Sequence, residues 1–372
     1  MTMQQPQSAA APIEIGDFLS DFALTDQKAR RVTLATHALG KAIVLLFYPN
    51  GHMPACQQQL RAFAAVHDRL GDLAHVYAIN RDTLEANAAA VAAQTLPFRL
   101  LDDPSGNTAR AYGVTHNLTS QHDFLGSGAF TSIVADANRR ILQINRDVTD
   151  PGHAEAVLAF LTGRGRETPV ELTGFAPALY VPAVFEPSFC RHLINVYETQ
   201  GNKPSGTLHD DRQGRRATRF NPETKVRRDH YVNDPKLTEQ IWERLKRRVV
   251  PEIHKAFSYR VTRFEEFKVV CYEATDGGHF APHRDNISLA SVHRRFALTL
   301  NLNTGEYEGG HLRFQEYGPH LYRPAAGDAV VFSCSLLHQA LPVTAGRRFV
   351  FLSFLFGDEA LEMHAKRRSA LA

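Results

Sequence analysis

The pattern of apolar residues changes character partway along the chain, and that change limits the folds available to it. Up to about residue 163, strand and helix signals alternate. "KAIVLLFYP" (41–49) is a continuous apolar run, as in a strand buried on both faces. "ACQQQLRAFAAVHDRLG" after Pro54 has helical spacing and stops at Gly71. "AHVYAIN" (74–80) reads as a strand and "LEANAAAVAAQ" (84–94) as an alanine-rich helix. Two strands flank the turn Asp136-Ala137-Asn138, and "HAEAVLAFLTG" (153–163) closes the segment as a helix. The order β-α-β-α-β-β-α fits an α/β sandwich of the thioredoxin type. The polar, aperiodic stretch "GRGRETPVELTG" (163–174) marks a boundary. Beyond it, 187–201 and 235–253 read as helices. From 264 onward, short β-rich runs separated by Gly, Asn and Asp predict a β-sandwich or jelly roll flanked by helices. The expectation is therefore two domains, 12–165 and 172–360, with the first α/β and the second mostly β.

The chain has 372 residues, 44% of them hydrophobic and 22% charged, with a net charge of +3. This composition is that of an ordinary globular protein and indicates no nucleic-acid or membrane partner. The basic run "ERLKRRVVPEIHK" (243–255) alternates with apolar residues and reads as a solvated helix face. The run at 212–228 reads as a solvated loop, with a lid favouring an acidic substrate as the sharper alternative. Cys56, Cys190, Cys271 and Cys334 form no C-x-x-C pair, which argues against a thiolate zinc site or a disulfide framework. No apolar run reaches the length of a membrane span. The start, "MTMQQPQSAAAPIEIG", reads as a disordered tail rather than a signal peptide, so a cytoplasmic location is expected.

The stretch "GGHFAPHRDN" (277–286) holds His283 and Asp285 two residues apart. In a strand, such a pair shares one face. The pair alone carries little weight, because with 18 histidines about two H-x-[DE] matches are expected by chance. His153-Ala154-Glu155 is another match, at a helix start, where Glu155 reads as charge placement at the N-terminus. A third ligand would have to come from another strand, and His338 in "SCSLLHQALPV" is the candidate. A histidine in an apolar strand is more often a hydrogen-bonded core residue. Two histidines and a carboxylate that converge, however, make the facial triad of non-haem Fe(II) oxygenases. Arg347 and Arg348 open the apolar run "RRFVFLSFLF". A guanidinium at the start of a buried strand needs an anion, either a core carboxylate or that of a bound cosubstrate. Tyr272 can add a hydroxyl to the same anion.

The stretches "FKVVCYEATDGGHFAPHRDN", "YEGGHLRF" and "AAGDAVVFSCSLLHQALPVTAGRRFVFLSFLF" resemble the 2-oxoglutarate- and Fe(II)-dependent dioxygenases, specifically the prolyl 4-hydroxylase-like branch, over about 172–357. The resemblance implies a double-stranded β-helix with His283, Asp285 and His338 as iron ligands. It also implies that Arg348 pairs with the distal carboxylate of 2-oxoglutarate, that Tyr272 contacts the same molecule, and that Asn301 stands where animal members carry a second tyrosine. The implied cofactors are Fe(II) and 2-oxoglutarate, with ascorbate as reductant. The implied partners are O2 and a prolyl-peptide or small-molecule substrate, which is hydroxylated as succinate and CO2 are released.

"FYPNGHMPACQQQL" (47–60) sets Cys56 at a strand-to-helix junction, where backbone N–H groups and the helix dipole are expected to stabilise a thiolate. Residues 12–163 resemble peroxiredoxins of the bacterioferritin-comigratory and alkyl-hydroperoxide-reductase type, with Pro49 and Cys56 matching the motif P-x-x-x-T-x-x-C. Cys56 is the implied peroxidatic cysteine. Met53 replaces the motif threonine, Phe130 stands at the expected arginine, and this half has no second cysteine. Two alternatives to the dioxygenase reading follow: a thiol peroxidase using Cys56 with an accessory β-domain, and a binding protein in which both sites are relics.

Overall fold

The computed structural model describes residues 12–38, 40–114, 130–165, 171–172, 174–210, 216–288 and 290–362. The chain divides into two compact units, Met1–Pro169 and Val170–Ala372. Among the described residues, no helix is long and apolar enough to cross a membrane.

In the first unit the elements are β1 (Ala23–Asp26), β2 (Arg31–Thr33), α1 (Leu34–His37), β3 (Ala42–Phe47), α2 (Pro54–Ala65), α3 (His67–Gly71) and β4 (Ala74–Asn80). They continue with α4 (Leu84–Gln94), β5 (Arg99–Asp102), α5 (Asn107–Ala111), β6 (Phe130–Ala135), β7 (Ile141–Val148) and α6 (His153–Gly163). The strands form one seven-stranded sheet in the order β2-β1-β5-β4-β3-β6-β7. β3 runs parallel to β4 and antiparallel to β6, and its residues alternate between two buried clusters, Val44 and Leu46 in one and Ile43, Leu45 and Phe47 in the other, so both faces are covered. The expected βα alternation is present, with an added N-terminal hairpin and with β5 and α5, whose short segments carry weak periodicity. The helix expected to run to Gly71 is interrupted at Val66, which sits at φ −98°, ψ 0°, between helical and extended backbone. The arrangement is the thioredoxin-like fold of peroxiredoxins.

The second unit opens with β8 (Leu179–Val181), α7 (Pro187–Thr199), β9 (Lys203–Pro204), β10 (Thr207–Asp210), β11 (Arg216–Arg219), β12 (Lys225–Val226) and β13 (Arg228–Tyr231). Next come α8 (Pro235–Arg248), α9 (Val250–Phe257), β14 (Arg263–Phe264), β15 (Lys268–Glu273), β16 (His279–His283) and β17 (Phe296–Asn301). It ends with β18 (Tyr307–Gly309), β19 (Leu312–Arg313), β20 (Leu321–Tyr322), β21 (Ala329–Ser333), β22 (His338–Ala340) and β23 (Val343–Phe356). The helix expected over 235–253 splits at Val249. Pro251 supplies no N–H and its ring opposes the preceding turn, so a new helix starts there. Asp234 caps α8 by accepting a hydrogen bond from the Lys236 N–H at 2.9 Å.

All pairings in this unit are antiparallel. The larger sheet runs β8-β21-β17-β23-β15-β13-β9 and the smaller β12-β16-β22-β19-β20, in keeping with a jelly roll. One face of the larger sheet packs on α7–α9, where Leu193, Leu245, Leu298, Leu300 and Phe351 are nearly or wholly buried. On the other face, Val270 and Val350 meet Phe280 and Ala340 from the smaller sheet. The two sheets thus enclose the cavity that carries the site. Leu300 lies near the end of β17, paired to Phe351 of β23 on one side and Ala329 of β21 on the other, and is fully buried. Leu300→Ala is expected to lower the unfolding free energy by about 2–5 kcal/mol, read as a shifted urea midpoint.

Candidate functional site

His283 and His338 face one another directly across the β16–β22 pair, with ring centroids 4.3 Å apart. Asp285 lies beyond the end of β16, in a turn, and not on the strand face that the two-residue spacing suggested. Its N–H donates to the Cys334 carbonyl at 2.9 Å, which fixes its position. The Asp285 oxygens approach Nε2 of His283 at 3.5 Å and Nε2 of His338 at 3.3 Å. One ligand atom from each of the three lies within 4.8 Å of the others.

Nδ1 of His283 lies 2.8 Å from the Ala281 carbonyl, and Nδ1 of His338 lies 3.0 Å from the Leu336 carbonyl. A carbonyl only accepts, so each Nδ1 carries a hydrogen, which leaves Nε2, turned toward Asp285, as the ring atom able to ligate a metal. Burial keeps His338 neutral, against the pull of Asp285. Burial would raise the Asp285 carboxyl, but His338 and His283 outweigh it and hold the group at about 2. The donor set is two imidazoles and one carboxylate, which fits a divalent iron of the facial-triad kind.

Arg348 stands opposite Tyr272 in the β15–β23 register and is 3% exposed. It donates one hydrogen bond to Asn301 Oδ1 at 3.0 Å, and its Nε is buried without a partner. Among the described residues it forms no ion pair. A buried guanidinium in this state calls for an anion, which is the role of a cosubstrate carboxylate. Asn301 is itself fixed through Tyr307, Thr304 and the Pro324 carbonyl. Gly310, at φ +63°, lets the backbone pass Arg348; a Cβ there would come within 2.8 Å of Arg348 Cδ. Arg347 points the other way and pairs with Glu198 and Glu273.

Sequence reading missed Arg227. It falls inside the basic run expected to be a solvated loop, yet its side chain is only 7% exposed. It donates to both oxygens of Asp229, at 2.6 and 2.8 Å, and to the Tyr272 hydroxyl at 3.2 Å. Arg227 therefore orients the tyrosine expected to contact the cosubstrate. The spacing Arg227-x-Asp229 was the available signal. Residues 212–215 of the same run lie outside the described residues, while Arg227 sits between β12, which ends at Val226, and β13, which starts at Arg228. Arg294 braces the triad from another side, held by both oxygens of Glu265 and donating to the Asp285 carbonyl at 3.3 Å. These groups line one cavity of about 720 Å³.

The surroundings of Cys56 do not favour the expected thiolate. Cys56 lies in the first turn of α2 but is fully buried in the apolar core, and burial pushes its thiol up to about 11, with the Asp82 charge adding to the rise. Phe130 stacks on Tyr48 and Phe63, and Met53 packs on the same core, so packing replaces the hydroxyl and cation of the motif. His153 bonds Ser132 Oγ at 2.8 Å, and Glu155, in the first turn of α6, pairs with Arg69. At pH 7.5, alkylation of Cys56 by iodoacetamide, followed by peptide mass mapping, is expected to run at least tenfold slower than for free cysteine.

Residues 15–143 match the model of the AhpC/TSA family, and residues 267–356 match that of the 2OG-Fe(II) oxygenase superfamily. A peroxiredoxin-named protein of Mycobacterium tuberculosis is 26% identical over 151 residues, covering 40% of this chain and 96% of that one. A PKHD-type hydroxylase of Nitrobacter winogradskyi is 33% identical over 105 residues, covering 26% of this chain and 45% of the hydroxylase, so the match spans less than half of that relative. The crystal structure of peroxidoxin BcpB from M. tuberculosis aligns at 25% identity and a TM-score of 0.37, over 42% of this chain and 99% of that one. The chain joins an N-terminal peroxiredoxin-like domain of the AhpC/TSA family to a C-terminal domain of the 2OG-Fe(II) oxygenase superfamily.

Proposed function

We propose that the C-terminal domain is an Fe(II)- and 2-oxoglutarate-dependent dioxygenase that hydroxylates a C–H bond of a second substrate. The observation that carries this reading is the pairing of the His283–Asp285–His338 cluster with a buried, uncompensated Arg348 on one cavity. The likeness to a PKHD-type hydroxylase favours a prolyl peptide, with a small molecule as the second class.

In this reading His283, Asp285 and His338 hold the iron through Nε2, a carboxylate oxygen and Nε2. With 2-oxoglutarate and O2, the bound iron supplies oxidative decarboxylation to succinate and CO2, coupled to oxygen insertion into the substrate. Arg348 binds the distal carboxylate of 2-oxoglutarate. Tyr272, oriented by Arg227, lines the cavity beside Arg348. The hydrogen bonds from each Nδ1 keep both rings from turning and keep their protons off the ligating nitrogens. Phe280, stacked on His283, and Phe332, edge-on to His338, shield the cluster from bulk water.

The thiol-peroxidase reading has against it a buried Cys56 whose surroundings favour the protonated thiol. The relic reading has against it the intact donor set of the C-terminal cavity.

The test is substrate-free succinate formation by the full chain supplied with Fe(II), 2-oxoglutarate, ascorbate and O2. His283→Ala and Asp285→Ala are each expected to lower it at least 100-fold. Arg348→Met is expected to raise the KM for 2-oxoglutarate at least tenfold. Unchanged turnover in both triad variants sinks the assignment.

A further inference from the structure

The C-terminal cavity extends beyond the triad and Arg348. On β15, Tyr272, Val270 and Lys268 share one face, and the register sets Arg348, Val350 and Leu352 beside them. Asp229 and Tyr231 of β13 lie opposite Val270 and Lys268. Four residues separate Tyr272 from Lys268, roughly 13 Å along the strand. Lys268 thus marks the part of the floor remote from the cosubstrate arginine. A second lysine comes from the facing sheet. Lys225 on β12 pairs with Phe280 of β16, its Nζ lies 4.8 Å from the Phe280 ring centroid, and it donates to the Gly206 carbonyl at 2.9 Å.

Most cations around this cavity are already matched. Arg227 pairs with Asp229, Arg294 with Glu265, and Arg284 with Glu316. Lys225 and Lys268 differ: among the described residues, neither forms an ion pair. Lys268 Nζ faces the rings of Tyr231 and Phe354, at 5.0 and 6.0 Å. Such ring contacts are weaker than the cost of taking an ammonium out of water. Burial depresses both groups, with Arg227 adding to the effect, and brings Lys225 down to about 6. Both lysines line the cavity, where a bound carboxylate would offset that depression.

We propose that Lys225 and Lys268 form an anion subsite for the second substrate, so that the enzyme acts on a carboxylate-bearing molecule whose acid group sits away from the Arg348 end of the cavity. This rests on the dioxygenase reading and adds the substrate class. Arg348 is assigned to the cosubstrate carboxylate, so the lysines meet a separate negative charge.

The experiment follows succinate release by the full chain above its substrate-free rate, using paired probes. One arm compares N-acetyl-L-proline with N-acetyl-L-prolinamide. The other compares the end-blocked peptides Glu-Pro-Gly and Gln-Pro-Gly. In at least one arm the acid is expected to exceed its amide isostere at least tenfold in kcat/KM, and the responding arm tells a free acid from an acidic peptide. The acid-to-amide ratio is expected to fall below twofold in Lys225→Met/Lys268→Met and to persist in Lys225→Arg/Lys268→Arg. Being a ratio within one protein, it does not depend on how much of a variant folds, and the wild-type comparison stands without any variant. Equal response to acid and amide, or no response to any probe, overturns the subsite. Loss of substrate-free succinate formation in the unaltered protein overturns instead the dioxygenase reading beneath it.

Discussion

The register of β23 is the constraint on which the C-terminal site depends. This strand is paired on both sides, to β15 and to β17, so its alternation is fixed by two ladders at once. Phe349, Phe351 and Leu355 enter the core beneath the helices, while Arg348, Val350 and Leu352 face the cavity. A slip by one residue would exchange the two faces. Arg347 would then enter the cavity, and Arg348 would meet Glu198 and Glu273. The partners of Arg347 and the fully buried phenylalanines therefore specify the direction of Arg348 as firmly as its own bond to Asn301 does. Gly346 contributes as well, since at φ +71° it brings the start of the strand within 2.7 Å of the Glu306 carbonyl, measured from where a Cβ would lie.

The two domains treat their reactive groups in opposite ways. Around the triad, carbonyls hold each histidine Nδ1, and the two histidines keep the Asp285 carboxyl low despite its burial. Around Cys56, the residues that would ionise a thiol are replaced by Met53 and Phe130, whose gain is apolar packing. The same substitutions that complete that core remove the electrostatics a nucleophile needs. A helix N-terminus does not compensate, because Cys56 is wholly covered and its nearest influential charge, Asp82, is negative.

The legible parts of the sequence were those governed by short-range periodicity. The apolar run of β3, the alanine-rich α4 and the strand pair β6–β7 lie where alternation and turn residues put them. The co-location of His283, Asp285 and His338 was also legible, through spacing and the resemblance together. Long-range pairing was the part that could not be read. Asp285 reaches the triad through a backbone bond to Cys334, not through strand alternation. Arg227 and Lys225 sit in a run whose composition reads as solvent-exposed. Only the pairing of β12 with β16, and of β13 with β15, turns them inward. In the helices, Pro251 was a visible breaker inside a strongly periodic segment, and local stereochemistry overrode the period there.

The charges of the cavity fall into groups that no composition could separate. Arg227 and Arg294 are matched by carboxylates and act on the site through geometry, one orienting Tyr272 and the other bracing Asp285. Arg348 is unmatched and buried, with its geometry fixed by Asn301, so the anion it receives must arrive in one orientation. Lys225 and Lys268 form no ion pair among the described residues, and each presents a point charge rather than a planar fork. A rigid guanidinium suits a cosubstrate that must present the same atoms to the metal in every turnover. In the proposed subsite, point charges suit a substrate that is recognised by its charge and then placed by the cavity walls. On the proposed assignments, the division between fork and point charge follows the division between a fixed cosubstrate and a variable second substrate.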